Sequence, residues 1–163
     1  MKSDLKFYEE LSACDDTELA SQISASLTVL SDALRLYGTA GCVASFNGGK
    51  DADVVLHLFR AAFAKHCADA GTPHLRPRVV YFNDPREFPE VSEHVRRTID
   101  RHALNMTVFD CKFVDGLRRL IDEGGGRAFA FVLGTRKGDP NCGNQARRPP
   151  APSALKRLVR VSS

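Results

Sequence analysis

Two adjacent glycines, a lysine and an aspartate stand together in Ser45-Phe46-Asn47-Gly48-Gly49-Lys50-Asp51. An apolar run, Gly41-Cys42-Val43-Ala44, comes before them. Apolar residues at helical spacing (Val54, Val55, Leu58, Phe59, Ala62) come after. A strand, a glycine turn and a helix start in that order make a cradle for an anion such as phosphate. The glycines let the backbone curl closely around the anion, and the helix start points its free N–H groups at it. Lys50 adds a positive charge on a flexible stem. Asn-Gly-Gly is also ordinary turn chemistry, so the reading depends on what the rest of the chain brings to the same place.

Two further polar segments follow strand-like runs. Arg78 to Asn83 reads as a buried strand broken by Asp84-Pro85, with a helix from Pro89 or Glu90 to His102. Ala128 to Leu133 reads as another strand, followed by Gly134-Thr135-Arg136-Lys137-Gly138-Asp139-Pro140. Met106 to Phe109 is a third short strand. Phe113, Leu117, Leu120 and Ile121 mark a helix ended by Gly124-Gly125-Gly126. Near the N-terminus, residues 3–13 suit a short leading helix. Asp15 or Asp16 caps a stronger one with Leu19, Ile23, Leu27, Leu30 and Leu34 on its apolar face, stopped by Gly38.

Continuously apolar strands alternating with helices predict an α/β fold: three α/β/α layers around a mostly parallel sheet, with N-terminal helices added. Ligands of such sheets bind beyond the carboxyl ends of the strands. The glycine turn, the segment from Asn83 to Glu90 and the segment from Gly134 to Pro140 all lie at those ends. Three loops distant in sequence thus converge on one sheet edge.

The chain's 163 residues suit one domain of about ordinary size. Its 43% hydrophobic and 26% charged residues are those of a globular protein. The division expected is a nucleotide-binding α/β domain over 1–141 and a basic, proline-rich, poorly ordered tail over 142–163. Within that tail, Ala154 to Val161 is expected to form at most a short basic helix. The net charge is +3, but from Asn144 onward five basic residues face no acidic one, so the rest is slightly acidic. Such a body is not a general nucleic-acid binder. Five cysteines without a Cys-x-x-Cys spacing argue against a disulfide framework or zinc knuckle. No apolar stretch approaches membrane-spanning length, and Asp4, Glu9 and Glu10 do not suit a transit peptide. The expectation is a cytoplasmic protein without membrane partners. The histidines at 57, 66, 74, 94 and 102 have no ligand spacing, and helix-surface positions are expected for them.

The glycine loop is not of the Walker type, since Ala44 stands where the first glycine belongs and Asp51 where Ser or Thr belongs. With only Gly48 and Gly49 present it is not a Rossmann fingerprint either. Ser-x-x-Gly-Gly-Lys-Asp instead resembles the pyrophosphate-binding loop of ATP pyrophosphatases, an adenine nucleotide α-hydrolase-like fold. The variant Ser45-Phe46-Asn47-Gly48-Gly49-Lys50-Asp51 is similar to the eukaryotic FAD synthase (FMN adenylyltransferase) group, related to phosphoadenylyl-sulfate reductases. Phe88-Pro89-Glu90 resembles the Phe-x-Glu segment of both groups, and Gly134-Thr135-Arg136 through Asp139-Pro140 the Gly-x-Arg-x-x-Asp-Pro segment of the FAD synthases. The resemblance spans roughly residues 11–141.

It implies ATP and FMN as substrates, FAD and pyrophosphate as products, and Mg²⁺ as the metal. Ser45, Phe46, Asn47, Gly48 and Gly49 would line the triphosphate, with Gly48 and Gly49 N–H groups as donors. Lys50 would neutralise charge, and Asp51 would meet the metal, although its position also suits a helix N-cap. Asn83 and Asp84 would contact ribose or adenine, or serve only as turn residues before Pro85. Gly134 and Thr135 would line the nucleotide. Arg136 and Asp139 would act on phosphate and on flavin or metal, or form a surface turn. Phe88 is expected in the core or as a wall. Members of the group continue well past the Asp-Pro motif with a tryptophan-containing segment. This chain has no tryptophan, which implies a truncated or divergent C-terminus that would impair flavin binding before ATP binding. Two other readings stand beside this one. Asn141-Cys142-Gly143 faintly resembles the reactive-cysteine segment of a phosphoadenylyl-sulfate reductase-like oxidoreductase, and a non-catalytic ATP-binding fragment is the third.

Overall fold

The computed structural model describes residues 2–73, 75–125, 127–134 and 157–161. The elements run α1 (Lys2–Ser12), α2 (Thr17–Gly41), β1 (Cys42–Ser45), α3 (Lys50–Asp69), β2 (Arg78–Phe82), α4 (Pro89–His102), β3 (Asn105–Phe109), α5 (Phe113–Glu123), β4 (Ala130–Gly134) and β5 (Arg157–Val161). The sheet is parallel throughout, in the order β3-β2-β1-β4-β5. Val43 pairs with Arg78 on one side of β1 and with Phe131 on the other. The chain thus winds outward from β1 to β3 and returns to lay β4 on the other side of β1. That reversal is the switch point at which α/β sheets bind ligands.

Period-two alternation sorts the strand residues onto two faces. Cys42, Ala44, Val79, Tyr81, Ala130 and Val132 join the core under α2, α3 and α4. Val43, Val80, Phe109 and Phe131 join the core under α5. The three-layer α/β/α arrangement expected from the sequence is therefore the fold, with α1 packed outside α3. α5 sits very close to the sheet. A Cβ on Gly116 would come within 2.5 Å of the Phe82 ring.

Most element boundaries agree with the periodicity, and the departures have physical reasons. Asp16 caps α2, its Oδ1 accepting the Leu19 N–H at 2.9 Å. Gly38, at φ 68°, breaks the helix as expected, but one more helical turn follows before β1. Leu19 lies in the first turn of α2 and is 50% exposed, so the buried stripe begins further along, at Leu27, Leu30 and Leu34. The short basic helix expected within Ala154–Val161 is corrected. Arg157–Val161 pairs parallel to β4 as β5. A segment this short makes a poor isolated helix, and Leu-Val-Arg-Val favours a strand once a sheet edge is open.

A buried polar cluster ties three helices together. Arg60 of α3 is 6% exposed and donates through Nη2 to Asp4 of α1. Its Nη1 lies 2.8 Å from His57 Nδ1. The His57 ring meets His102, at the end of α4, edge-on with centroids 5.3 Å apart. Arg60 Nε is a buried polar atom without a partner among the described residues. Burial, and then the charge of Arg60, push both imidazoles down, His102 to about 4 from an ordinary 6.5. Above pH 6.5 both rings are neutral whether the chain is folded or not. As pH falls below 6.5 the unfolded chain takes up protons that the folded one refuses, so stability is lost between 6.5 and about 4. Thermal melts are expected to fall by on the order of 5 °C between pH 7 and 5, and His102→Gln should flatten that slope.

Candidate active site

β1 ends in the glycine loop, and the loop is held from several sides. Phe46 N–H donates to the Val80 carbonyl at 3.0 Å, carrying β1's pairing with β2 one residue further. The Phe46 side chain is 1% exposed and belongs to the core. An aromatic ring at that alternation point turns inward and leaves only the Phe46 backbone to the loop. Asn47 Oδ1 accepts the Gly49 N–H at 3.0 Å. That Asx turn occupies one of the two glycine donors expected for phosphate. Gly48 has φ +73°, a left-handed conformation that favours glycine.

α3 starts at Lys50, with Gly49 as its N-cap and no side-chain cap bond. Asp51 is therefore the second helical residue and not the N-cap that its sequence position also suited. The leading N–H groups of this helix have no intrahelical acceptors and carry the positive end of the helix dipole. Lys50 is exposed beside them, and Ser45 is half-buried at the strand end. Gly134, the last residue of β4, packs on the same helix start. A Cβ there would lie 3.1 Å from the Asp51 carbonyl oxygen and 3.2 Å from Val55 Cγ2. The ends of β1 and β4 thus meet at the switch point, as the convergence argument requires. Thr135, Arg136 and Asp139 lie outside the described residues, as does Cys142.

The third segment opens a separate bay next to the loop. Asn83 and Asp84, with Phe82, Arg86, Asp110 and Phe113, line a cleft of about 430 Å³ at the ends of β2 and β3. Asn83 Nδ2 donates to Asp110 Oδ1 at 2.8 Å, tying the two strand ends together. Asp84 takes the Arg86 backbone N–H at 3.0 Å and its guanidinium at 3.0 and 2.9 Å. The Arg86 side chain holds this carboxyl down at about 2. Asp84 is thus a turn residue on the wall of a cleft. Beyond it, Tyr81 Oη donates to Glu87, and Phe88 is 75% exposed. Phe88 is no core residue, because Pro89 starts α4 directly after it and turns it outward.

Sequence reasoning missed three neighbours of the loop. Val91, His94 and Val95 of α4 surround Gly48, and His94 reaches Asp53 in the first turn of α3. Their i, i+3, i+4 spacing on a helix fixed by Pro89 was the available signal. The pairing across 41 residues left none. Among the described residues no cluster of three His, Cys, Asp or Glu side chains is set to hold a metal alone. No described helix is long and apolar enough to cross a membrane. Cys14, Cys42, Cys67 and Cys111 are free thiols, and burial pushes Cys42 up to about 12.

Residues 41–114 match the family model of the phosphoadenosine phosphosulfate reductase domain. The whole chain resembles the crystal structure of yeast FAD synthetase in complex with FAD, with TM-score 0.69 and 20% identity over 99% of this chain and 60% of that one. It also resembles Candida glabrata FMN adenylyltransferase in complex with FMN and the ATP analogue AMPCPP. There the TM-score is 0.66, with 16% identity over 98% of this chain and 57% of that one. A further crystal structure of Candida glabrata FMN adenylyltransferase gives TM-score 0.69 at 17% identity over 98% of this chain and 56% of that one. This chain spans about 60% of the length of the yeast protein. The chain therefore shares the fold of yeast FAD synthetase, and the part of it that holds β1 through β3 is similar to the phosphoadenosine phosphosulfate reductase domain.

Proposed function

We propose that this chain is an FMN adenylyltransferase, with ATP and FMN as substrates. The observation that carries the reading is the meeting of the glycine loop with Gly134 at the helix start of α3. It sets an anion-binding N-terminus at the switch point of a fold shared with proteins crystallised with FAD, and with FMN and an ATP analogue.

The loop and the first turn of α3 would hold the β- and γ-phosphates, with Lys50 compensating their charge. A phosphate oxygen of FMN would attack the α-phosphorus of ATP in line. A new P–O bond forms as the bond to the bridging α–β oxygen breaks, and pyrophosphate leaves with that electron pair. No general base is required, because a phosphate monoester is anionic at neutral pH. The chain's task is then positioning and charge neutralisation. Asp51, an oxygen donor beside the phosphates, fits Mg²⁺, which characteristically takes one or two carboxylates plus substrate phosphates. When bound, Mg²⁺ withdraws charge from the pyrophosphate leaving group. Asn83 and Asp84, on the wall of the neighbouring cleft, fit a ribose or base contact. Thr135, Arg136 and Asp139 are assigned to the site by their motif alone.

The test is incubation of the purified chain with FMN, ATP and Mg²⁺. FAD and pyrophosphate in equal amounts support the reading. ATP binding with no FAD supports a non-catalytic nucleotide binder, and sulfite release from an adenylyl sulfate with a thiol donor supports the oxidoreductase. Lys50→Ala is expected to lower kcat/KM for ATP roughly 10²-fold, as loss of one charge-stabilising donor does elsewhere. An unchanged ATP affinity in that variant would remove the phosphate cradle.

A further inference from the structure

We propose that His94, acting through Asp53, is a positioning residue that keeps the glycine loop in its anion-binding shape, an assignment that rests on the phosphate-binding reading of the loop. His94 Nε2 lies 3.1 Å from Asp53 Oδ2 and 3.4 Å from Oδ1. The same ring packs tilted against Phe46, with centroids 6.1 Å apart. Its Cδ2 stands 3.5 Å from the place a Cβ on Gly48 would take. One imidazole therefore touches the start of the loop, its left-handed glycine and the first turn of the helix that ends it. Val91 and Val95 complete the contact, each 3.1 Å from that same Cβ position.

A bridge between a histidine and an aspartate on a protein surface contributes little by itself. This pair differs in its location. Asp51 and Asp53 both stand in the first turn of α3, where a carboxylate suits the helix dipole. A polyphosphate arriving at that N-terminus brings charge of the same sign, so a carboxylate left to swing there would oppose it. With a proton on Nε2 the imidazole donates to Asp53, in the neutral tautomer or the imidazolium alike. The carboxylate is thereby held toward α4. The side chains are 43% and 30% exposed, so substitution should perturb the loop more than the fold.

The test uses the ligand-free full chain first, by amide hydrogen exchange. His94→Ala is expected to speed exchange of the segment from Phe46 to Asp51 about tenfold, leaving β2 and β4 at wild-type rates. His94→Gln, whose amide N–H can still reach Asp53, should restore most of the protection. Asp53→Asn should change the loop far less in the His94→Ala background than alone. In steady-state assays His94→Ala should raise KM for ATP about tenfold and leave KM for FMN unchanged. Loop exchange at the wild-type rate in His94→Ala would overturn the assignment. So would acceleration spread equally over β2 and β4, or a Gln variant no better than Ala. A wild-type chain that makes no FAD yet shows the His94-dependent protection keeps the brace and loses the adenylyltransferase reading.

Discussion

Gly48→Ala is expected to fold and to lose ATP affinity by roughly 10²-fold or more. Two effects act on one atom. A residue other than glycine at φ +73° is strained by about 1–2 kcal/mol. The added methyl would also sit 3.1 Å from Val91 Cγ1 and Val95 Cγ2, so either α4 or the loop must give. The loop is the softer of the two, because Val95 is buried in the core and the loop is partly exposed. A shift of a few tenths of an ångström in the amides around Gly48 degrades a cradle whose value lies in its geometry. Gly71→Ala is the matched control. Gly71 also has positive φ, at 59°, but nothing lies within 4 Å of its Cβ position. That variant should lose about 1 kcal/mol of stability and no ATP affinity. Titration calorimetry with ATP on both variants decides the matter, and equal affinities would show that the Gly48 contacts do not shape the site.

Asp4→Ala is expected to be the most destabilising single substitution on the N-terminal side. It strands the Arg60 guanidinium, 6% exposed, without its carboxylate. Burial already lowers this group's hold on its proton, and Asp4 offsets part of that. Removing one partner of a buried ion pair costs about 3–5 kcal/mol, or on the order of 10 °C in Tm for a chain of this size. Replacing the pair together, Asp4→Leu with Arg60→Met, should recover most of the loss, because no buried charge remains. Scanning calorimetry of the three variants separates a lost ion pair from a lost contact. If the double variant melts as low as Asp4→Ala, α1 docks by shape and not by charge.

The sequence made the fold legible wherever a residue type acts on its own neighbours. Pro89 starts α4, His102 ends it, Asp16 caps α2 and Gly38 breaks it, each at the expected place. The glycine loop was legible for the same reason, since its backbone freedom is written in Gly48 itself. What escaped was set by partners far away in the chain. His94 gives no sign that it will meet Asp53. Phe46 and Phe88 show how context sets the burial of an aromatic ring in either direction. Each is an aromatic residue in a functional-looking motif, yet strand alternation buries the first and a proline-started helix exposes the second. β5 was misread because its strand character comes from the open edge of β4.

The Asx turn at Asn47 has a thermodynamic consequence for ligand entry. Asn47 Oδ1 on the Gly49 N–H, Val80 on Phe46 and the α4 side chains around Gly48 hold the loop before any phosphate arrives. Binding there involves little chain ordering, so the entropy loss and negative heat-capacity change that mark coupled folding should be small. On the proposed function, polyphosphate association would be an exchange of hydration water and counterions for fixed amides, strongly dependent on salt and only weakly on temperature.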